Sequence, residues 1–358
     1  MERSFYLDLA ASGRRLPVAT HLVLHEQPDP EAILLDGERL AQVVVETARR
    51  FDTPLALPIM DLTLEEDVLL HTLGVAAEAI PTYRFDELPS EQDVQRVRDM
   101  DVLSSPRIKA CCDAIAAIAG AHDAGAPELP IGMCIGPFSL LTKLVADPIT
   151  SIYLAGEGTA RDEDPDVDLV CGLLEVCELT VDAYIRVQIA AGAKAIFVCE
   201  PAANLVYFSP NQLAAGSSVY TDFVIAPNLR LKQLLEDAGV DLIFHDCGSL
   251  TPEMIASFTA LDPVILSLGS PVQLWDAAPL LPKDVVLFGN LPTKKFYSDA
   301  EVPLDAVPGL VREIDEKLTA LGHPHIVGSE CDILAMPGYE GRIMEKVLAV
   351  VSVPALQR

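Results

Sequence analysis

The chain is short of positive charge. Its 358 residues carry 25 Lys and Arg against 53 Asp and Glu, a formal net charge of −28. A surface that negative repels phosphate backbones and anionic lipid headgroups alike, which argues against nucleic acid and membrane surfaces as partners. No run reaches the roughly 18 apolar residues that span a bilayer. The first ten residues, MERSFYLDLA, mix charges with apolar side chains and lack the apolar stretch of a secretory signal, so a cytoplasmic location is expected. No glycine-rich phosphate loop of the form G-x-G-x-x-G follows any apolar run. Neither a linker nor an internal repeat divides the chain, and one domain over residues 1–358 is the simplest expectation.

What is present is apolar and strand-sized. Half of the residues are hydrophobic and only 22% are charged, so the chain can bury a large core and is not disordered. Eight runs read as buried parallel strands, apolar on both faces: 17–23, 54–60, 129–135, 193–199, 240–244, 264–268, 285–288 and 325–328. Helical periodicity fills the intervals, at 36–51, 104–124, 168–191, 220–238, 252–259, 306–321 and 339–351. Eight such units favour an α/β fold of the (β/α)8 TIM-barrel type over an open doubly wound sheet. Residues 61–129 exceed one crossover and predict extra helices, with a strongly charged stretch at 84–100. Residues 154–168 (LAGEGTARDEDPDVD) are rich in Gly and Asp and read as a mobile loop.

In such barrels the reactive groups stand where strands end, at the carboxyl face. That rule selects Asp61, Glu200, His245, Cys247, Asn290, Glu330 and Cys331. The sharpest local feature is His245-Asp246-Cys247. In an extended segment residues two apart face the same side, so imidazole and thiolate can meet one ion. Cys331 lies far away in sequence but at another strand end, and two thiolates with one imidazole suit Zn²⁺ with a fourth position left for substrate. Glu200 is the candidate for that fourth position at rest. The same residues also read as packing, because cysteine is among the most buried residue types and a core histidine often bonds only to backbone. Cys111, Cys112, Cys134, Cys171, Cys177 and Cys199 sit in apolar runs and read as small hydrophobes in a reducing compartment.

Several segments resemble the uroporphyrinogen decarboxylase superfamily. They are PIMDLTLEEDVLLHTLG (58–74), IGPFSLLTKL (135–144), FHDCGSL (244–250), FGNLPT (288–293) and VGSECDILAMPGYEGRIMEKVL (327–348). The third and fifth are similar to the zinc-ligand segments of its zinc-dependent corrinoid:coenzyme M methyltransferase branch. That resemblance implies His245, Cys247 and Cys331 as zinc ligands, Glu200 as an exchangeable ligand or base, and Asp61 and Asn290 as cavity residues contacting substrate. It further implies methyl transfer between a methylcobamide carried by a separate corrinoid protein and a small thiol such as coenzyme M, or another methylated small molecule. No D-x-H-x-x-G cobalamin motif occurs here, so the cobamide is expected on the partner. The alternative is a metal-free lyase of the decarboxylase type. Against it stands the first strand region, THLVLHEQPDP (20–30), which lacks the arginine-bearing segment of that enzyme.

Overall fold

In the computed structural model, which describes residues 2–356, seven of the eight apolar runs become strands. They are β1 (Leu55–Ala56), β2 (Leu129–Ile135), β3 (Ala195–Cys199), β4 (Asp241–Asp246), β5 (Ile265–Leu268), β6 (Val286–Leu291) and β7 (His325–Ser329). All neighbours are parallel and pair in chain order, so one sheet curls through the molecule as a half-barrel with helices against it.

The first expected strand, 17–23, is not one. The helix Thr20–Leu24 takes most of it, and only Leu16 bridges to Gly328 beside β7. Pro17 has no N–H to give a ladder. The segment is fixed by other means. Leu16 N donates to Val327 O (3.0 Å), Val18 N to Ser329 Oγ (3.0 Å), and Thr20 Oγ1 to Leu57 O (2.7 Å). Gly328 makes room for it, since a Cβ there would sit 2.2 Å from Leu16 O and 2.3 Å from the Phe288 ring. An eighth strand closing the ladder is thus replaced by a bridge and two side-chain bonds.

The seam between β1 and β2 is also handled by side chains. The two strands pair only at Leu55↔Leu129 and Ala56↔Pro130. Beyond that point the free edge of β2 would leave buried donors unpaired. Gln188 Oε1 accepts from Met133 N (2.8 Å) while its Nε2 donates to Met133 O (3.1 Å), and Glu65 Oε1 accepts from Ile135 N (2.9 Å). Burial drives the Glu65 carboxyl up to about 8 against the pull of these bonds.

Alternation along the strands divides the core in two. Leu57, Ile131, Phe197, Ile243, Val286 and Phe288 belong to an inner cluster, joined from below by Tyr6 and Leu9 of the helix Arg3–Ala11. Val198, Phe244, Leu266 and Leu287 belong to the outer one, against the helices. Removing a ring such as Phe288 from a packed interior costs about 3–5 kcal/mol.

The helices follow the periodicity. In Gly37–Arg50 the Asp36 carboxylate caps Glu38 N and Arg39 N (3.1 Å each), and Leu40, Val43, Val44 and Thr47 are buried on one face. The expected loop at 154–168 is confined to residues 157–164, with helix at both ends. Pro148–Gly156 takes its start and Pro165–Ala190 its end, each capped by an aspartate, Asp147 and Asp164. The expected extra helices at 61–129 are present as Leu64–Thr72, Glu91–Arg98 and Pro106–Asp123. Among the described residues no helix is long and apolar enough to cross a membrane.

Candidate metal centre

His245 occupies the last rung but one of β4, flanked in register by Cys199 of β3 and Ser267 of β5. All three are buried, and His245 is 1% exposed. The imidazole Nδ1 lies 2.8 Å from Ser267 Oγ, while Nε2 is buried with no hydrogen-bond partner. A buried polar nitrogen left unpaired costs free energy unless something else meets it.

What it faces is sulfur. Cys247 follows β4 directly, and Cys331 follows β7. The ligand atoms of His245, Cys247 and Cys331 all lie within 4.8 Å of one another, the metal-capable group found among the described residues. The neighbouring Cys331 thiol, with help from His245 and the charge of Lys294, pulls Cys247 well below the usual thiol range, while Cys247 and burial push Cys331 up. A thiolate and a thiol beside a bare imidazole nitrogen form a soft donor set that suits zinc, with Zn–S near about 2.3 Å and Zn–N near about 2.0 Å. Cys331 Sγ also lies 3.6 Å from Met60 Sδ, and the Asp332 carboxylate accepts from Met60 N (3.2 Å), so the tail of β1 forms one wall.

Glu200 stands apart from this cluster. It directly follows β3, is fully buried, and both its oxygens are engaged. Phe138 N (3.2 Å) and Asn228 Nδ2 (2.9 Å) donate to Oε1, and Ser139 N (2.8 Å) donates to Oε2. These N–H groups open the helix Pro137–Leu144, whose partial positive charge favours a carboxylate there. Gly136 is required for it, because a Cβ would fall 2.0 Å from Glu200 Cδ. Burial raises the Glu200 carboxyl against those bonds. The carboxylate therefore serves the N-terminus of that helix in this structure and is not brought to the sulfurs.

Asp61 and Asn290 are near the strand ends but committed. Asp61 Oδ2 accepts from Arg107 (2.5 Å) and its Oδ1 from Thr63 Oγ1 (2.7 Å). Burial would raise its carboxyl, yet these bonds and the Arg107 charge hold it below the usual range. With Ile59 it lines an apolar cavity behind the β1 tail, whereas Met60 between them turns to Cys331. Asn290 Nδ2 donates to Gly269 O (2.8 Å) and Val272 O (2.6 Å), tying the end of β6 to the loop after β5.

Two neighbours of the cluster escaped the sequence reading. Ser267 had a signal, as the lone polar residue inside the apolar run VILSL. Lys294 had none, because its relation to Cys247 exists only in the fold.

The six other cysteines are free and buried or half-buried, as small hydrophobes are. His323 and His325 bond to Val285 O and Asp315 at the opposite strand ends.

Fold and site together define an α/β protein with a parallel sheet and a thiol–imidazole cluster at its carboxyl edge. The sequence profile of the uroporphyrinogen decarboxylase (URO-D) family matches residues 13–339, and the chain belongs to that family. Among solved structures it is similar to a methyltransferase from Methanosarcina mazei, with a TM-score of 0.66 and 16% identity over 97% of this chain and 98% of that one. At that identity the likeness is one of fold. No curated protein matches this chain.

Proposed function

We propose that the chain is a single-domain methyltransferase that holds zinc through His245, Cys247 and Cys331. In this reading it moves a methyl group between a corrinoid protein and a small thiol. The observation that carries the proposal is the orphaned Nε2 of buried His245 facing two sulfurs. Zinc bound there would lower the pKa of a substrate thiol so that a thiolate is available at neutral pH.

The remaining work falls to the chain itself. Ser267 fixes the ring of His245 and leaves Nε2 as the ligand nitrogen. The ends of β4 and β7 present the two cysteines to one point, and Met60 walls that point from the side of β1. Glu200 holds the helix Pro137–Leu144 against β3, and Asp61 and Asn290 brace the strand ends that form the substrate walls. In the net transfer the methyl–cobalt bond breaks with its electron pair remaining on the corrinoid, a carbon–sulfur bond forms, and the thiol proton passes to solvent. The partner supplies the cobamide, and coenzyme M is the thiol that the resemblance suggests.

The test is an assay of the zinc-loaded protein with free methylcobalamin and a panel of small thiols including coenzyme M. Thioether formation with release of cob(I)alamin is expected. Metal-loaded protein that turns over none of them, with or without a corrinoid protein from the same source, overturns the reading.

A further inference from the structure

Cys247 and Cys331 bring the two sulfurs of the cluster within 4.8 Å of one another. A disulfide needs its sulfurs about 2 Å apart, and rotation about the two Cα–Cβ bonds can close a gap of that size. The backbones on either side are held. Gly248 N donates to Asp246 Oδ1 (2.7 Å), and the loop after β5 packs so near that a Cβ on Gly269 would fall 2.4 Å from Cys247 O. Around Cys331, Glu330 N donates to Leu291 O (3.0 Å) and Ile333 N to Val18 O (2.8 Å). Closing the pair therefore falls to the side chains, with the strand ends staying where they are.

Their surroundings separate these two from the six other cysteines. Both are half-buried and follow strand ends on stretches without helix or strand, so a small oxidant from solvent reaches them. Cys112, Cys134, Cys177 and Cys199 are buried, and Cys111 and Cys171 lie within the helices Pro106–Asp123 and Pro165–Ala190. Cys199 stands in register with His245 but is no member of the 4.8 Å group. The other sulfur beside Cys331 is Met60 Sδ, 3.6 Å away, a thioether that forms no disulfide.

We propose that Cys247 and Cys331 are a reversible redox pair, oxidised to a disulfide by hydrogen peroxide and reduced again by small thiols. One cysteine sulfur breaks the peroxide O–O bond and becomes a sulfenic acid, with loss of one water. The second sulfur attacks the sulfenic sulfur, the S–S bond forms, and the hydroxyl leaves with a proton as a second water. The cysteines give up two electrons and two protons in all, and the peroxide takes them. On the return, two small thiols supply the same electrons and protons and end as their own disulfide. The consequence of the bridge rests on the zinc reading: it withdraws both sulfur donors and leaves only the imidazole of His245, so the oxidised chain lets the ion go. In a reducing compartment such a disulfide is transient, as a sensing one is.

The test uses the full-length zinc-loaded protein, as wild type and as Cys199→Ala, Cys247→Ser and Cys331→Ser. Each is treated with hydrogen peroxide, alkylated and digested without reductant. Mass spectrometry follows the cross-linked peptide while a chromophoric chelator records released metal. Wild type and Cys199→Ala are expected to yield the Cys247–Cys331 cross-link in step with metal loss, about one zinc per disulfide, and dithiothreitol followed by zinc restores the original content. Neither serine variant yields that cross-link. Metal release with Cys247 and Cys331 carried on to sulfinic or sulfonic acid and no bridge between them overturns the pair and leaves the metal reading intact. A bridge that runs to Cys199 instead also overturns it. Cross-linking of Cys247 to Cys331 in wild-type protein that takes up no zinc sustains the pair and overturns the metal reading.

Discussion

Nδ1 of His245 and Oγ of Ser267 lie 2.8 Å apart across two neighbouring strands, and this contact decides which imidazole nitrogen faces the thiols. With Nδ1 at Ser267, Nε2 is the nitrogen aimed at Cys247 and Cys331, and in the tautomer that donates Nδ1–H to Ser267 it offers the lone pair a metal requires. Ser267→Ala should therefore weaken zinc binding about 10–100-fold while leaving the cysteines in place. Competition against a chromophoric chelator measures it. An unchanged affinity would show that packing against Phe197, 5.6 Å away ring to ring, is enough to orient the histidine.

Glu200 gives the opposite expectation. Its oxygens accept three bonds, two of them from the first N–H groups of the helix Pro137–Leu144. A glutamine there turns one acceptor into a donor and opposes an N–H. Glu200→Gln should cost on the order of 1–3 kcal/mol in urea denaturation while the zinc content stays at about one per chain. Loss of zinc without loss of stability would make Glu200 a ligand after all.

Glu65 sets a pH dependence for the β1–β2 seam. Its carboxyl titrates near 8 when folded against 4.5 ordinarily, because burial disfavours the charged form. A raised carboxyl contributes stability that is fully present below pH 4.5 and is lost as pH rises towards 8. Glu65→Gln keeps an acceptor for Ile135 N and has no charge to bury. At pH 9 the variant should be more stable than wild type by on the order of 2 kcal/mol, with the gap closing below pH 5. Equilibrium denaturation at pH 5, 7 and 9 checks this, and a gap that does not vary with pH contradicts it.

Strand-sized apolar runs and helical periodicity were enough to read the alternation, because parallel strands buried on both faces advertise themselves as continuous apolar stretches. Residues 17–23 misled for the same reason. PVATHLV is as apolar as a strand, yet Pro17 removes a donor and the run continues into the helix Thr20–Leu24. Residues 154–168 looked loose by composition, and 157–164 do form a turn, but Asp147 and Asp164 cap helices that take the two ends. At the site, strand-end placement picked out His245, Cys247 and Cys331, which the fold brings together. Glu200 shared that placement but faces Gly136 and the helix Pro137–Leu144, a direction fixed by contacts among β2, β3 and Asn228 that no local pattern carries. Ser267 and Lys294 escaped for a similar reason: each acts through a partner on another strand or loop.

The most direct test of the central claim is zinc analysis of the purified protein combined with X-ray absorption at the zinc edge, with and without added small thiol. The account predicts about one zinc per chain bound by two sulfurs and one imidazole nitrogen, from Cys247, Cys331 and His245, with the sulfur count rising by one when thiol is added. Protein purified without chelators that carries no zinc and takes none up would contradict it.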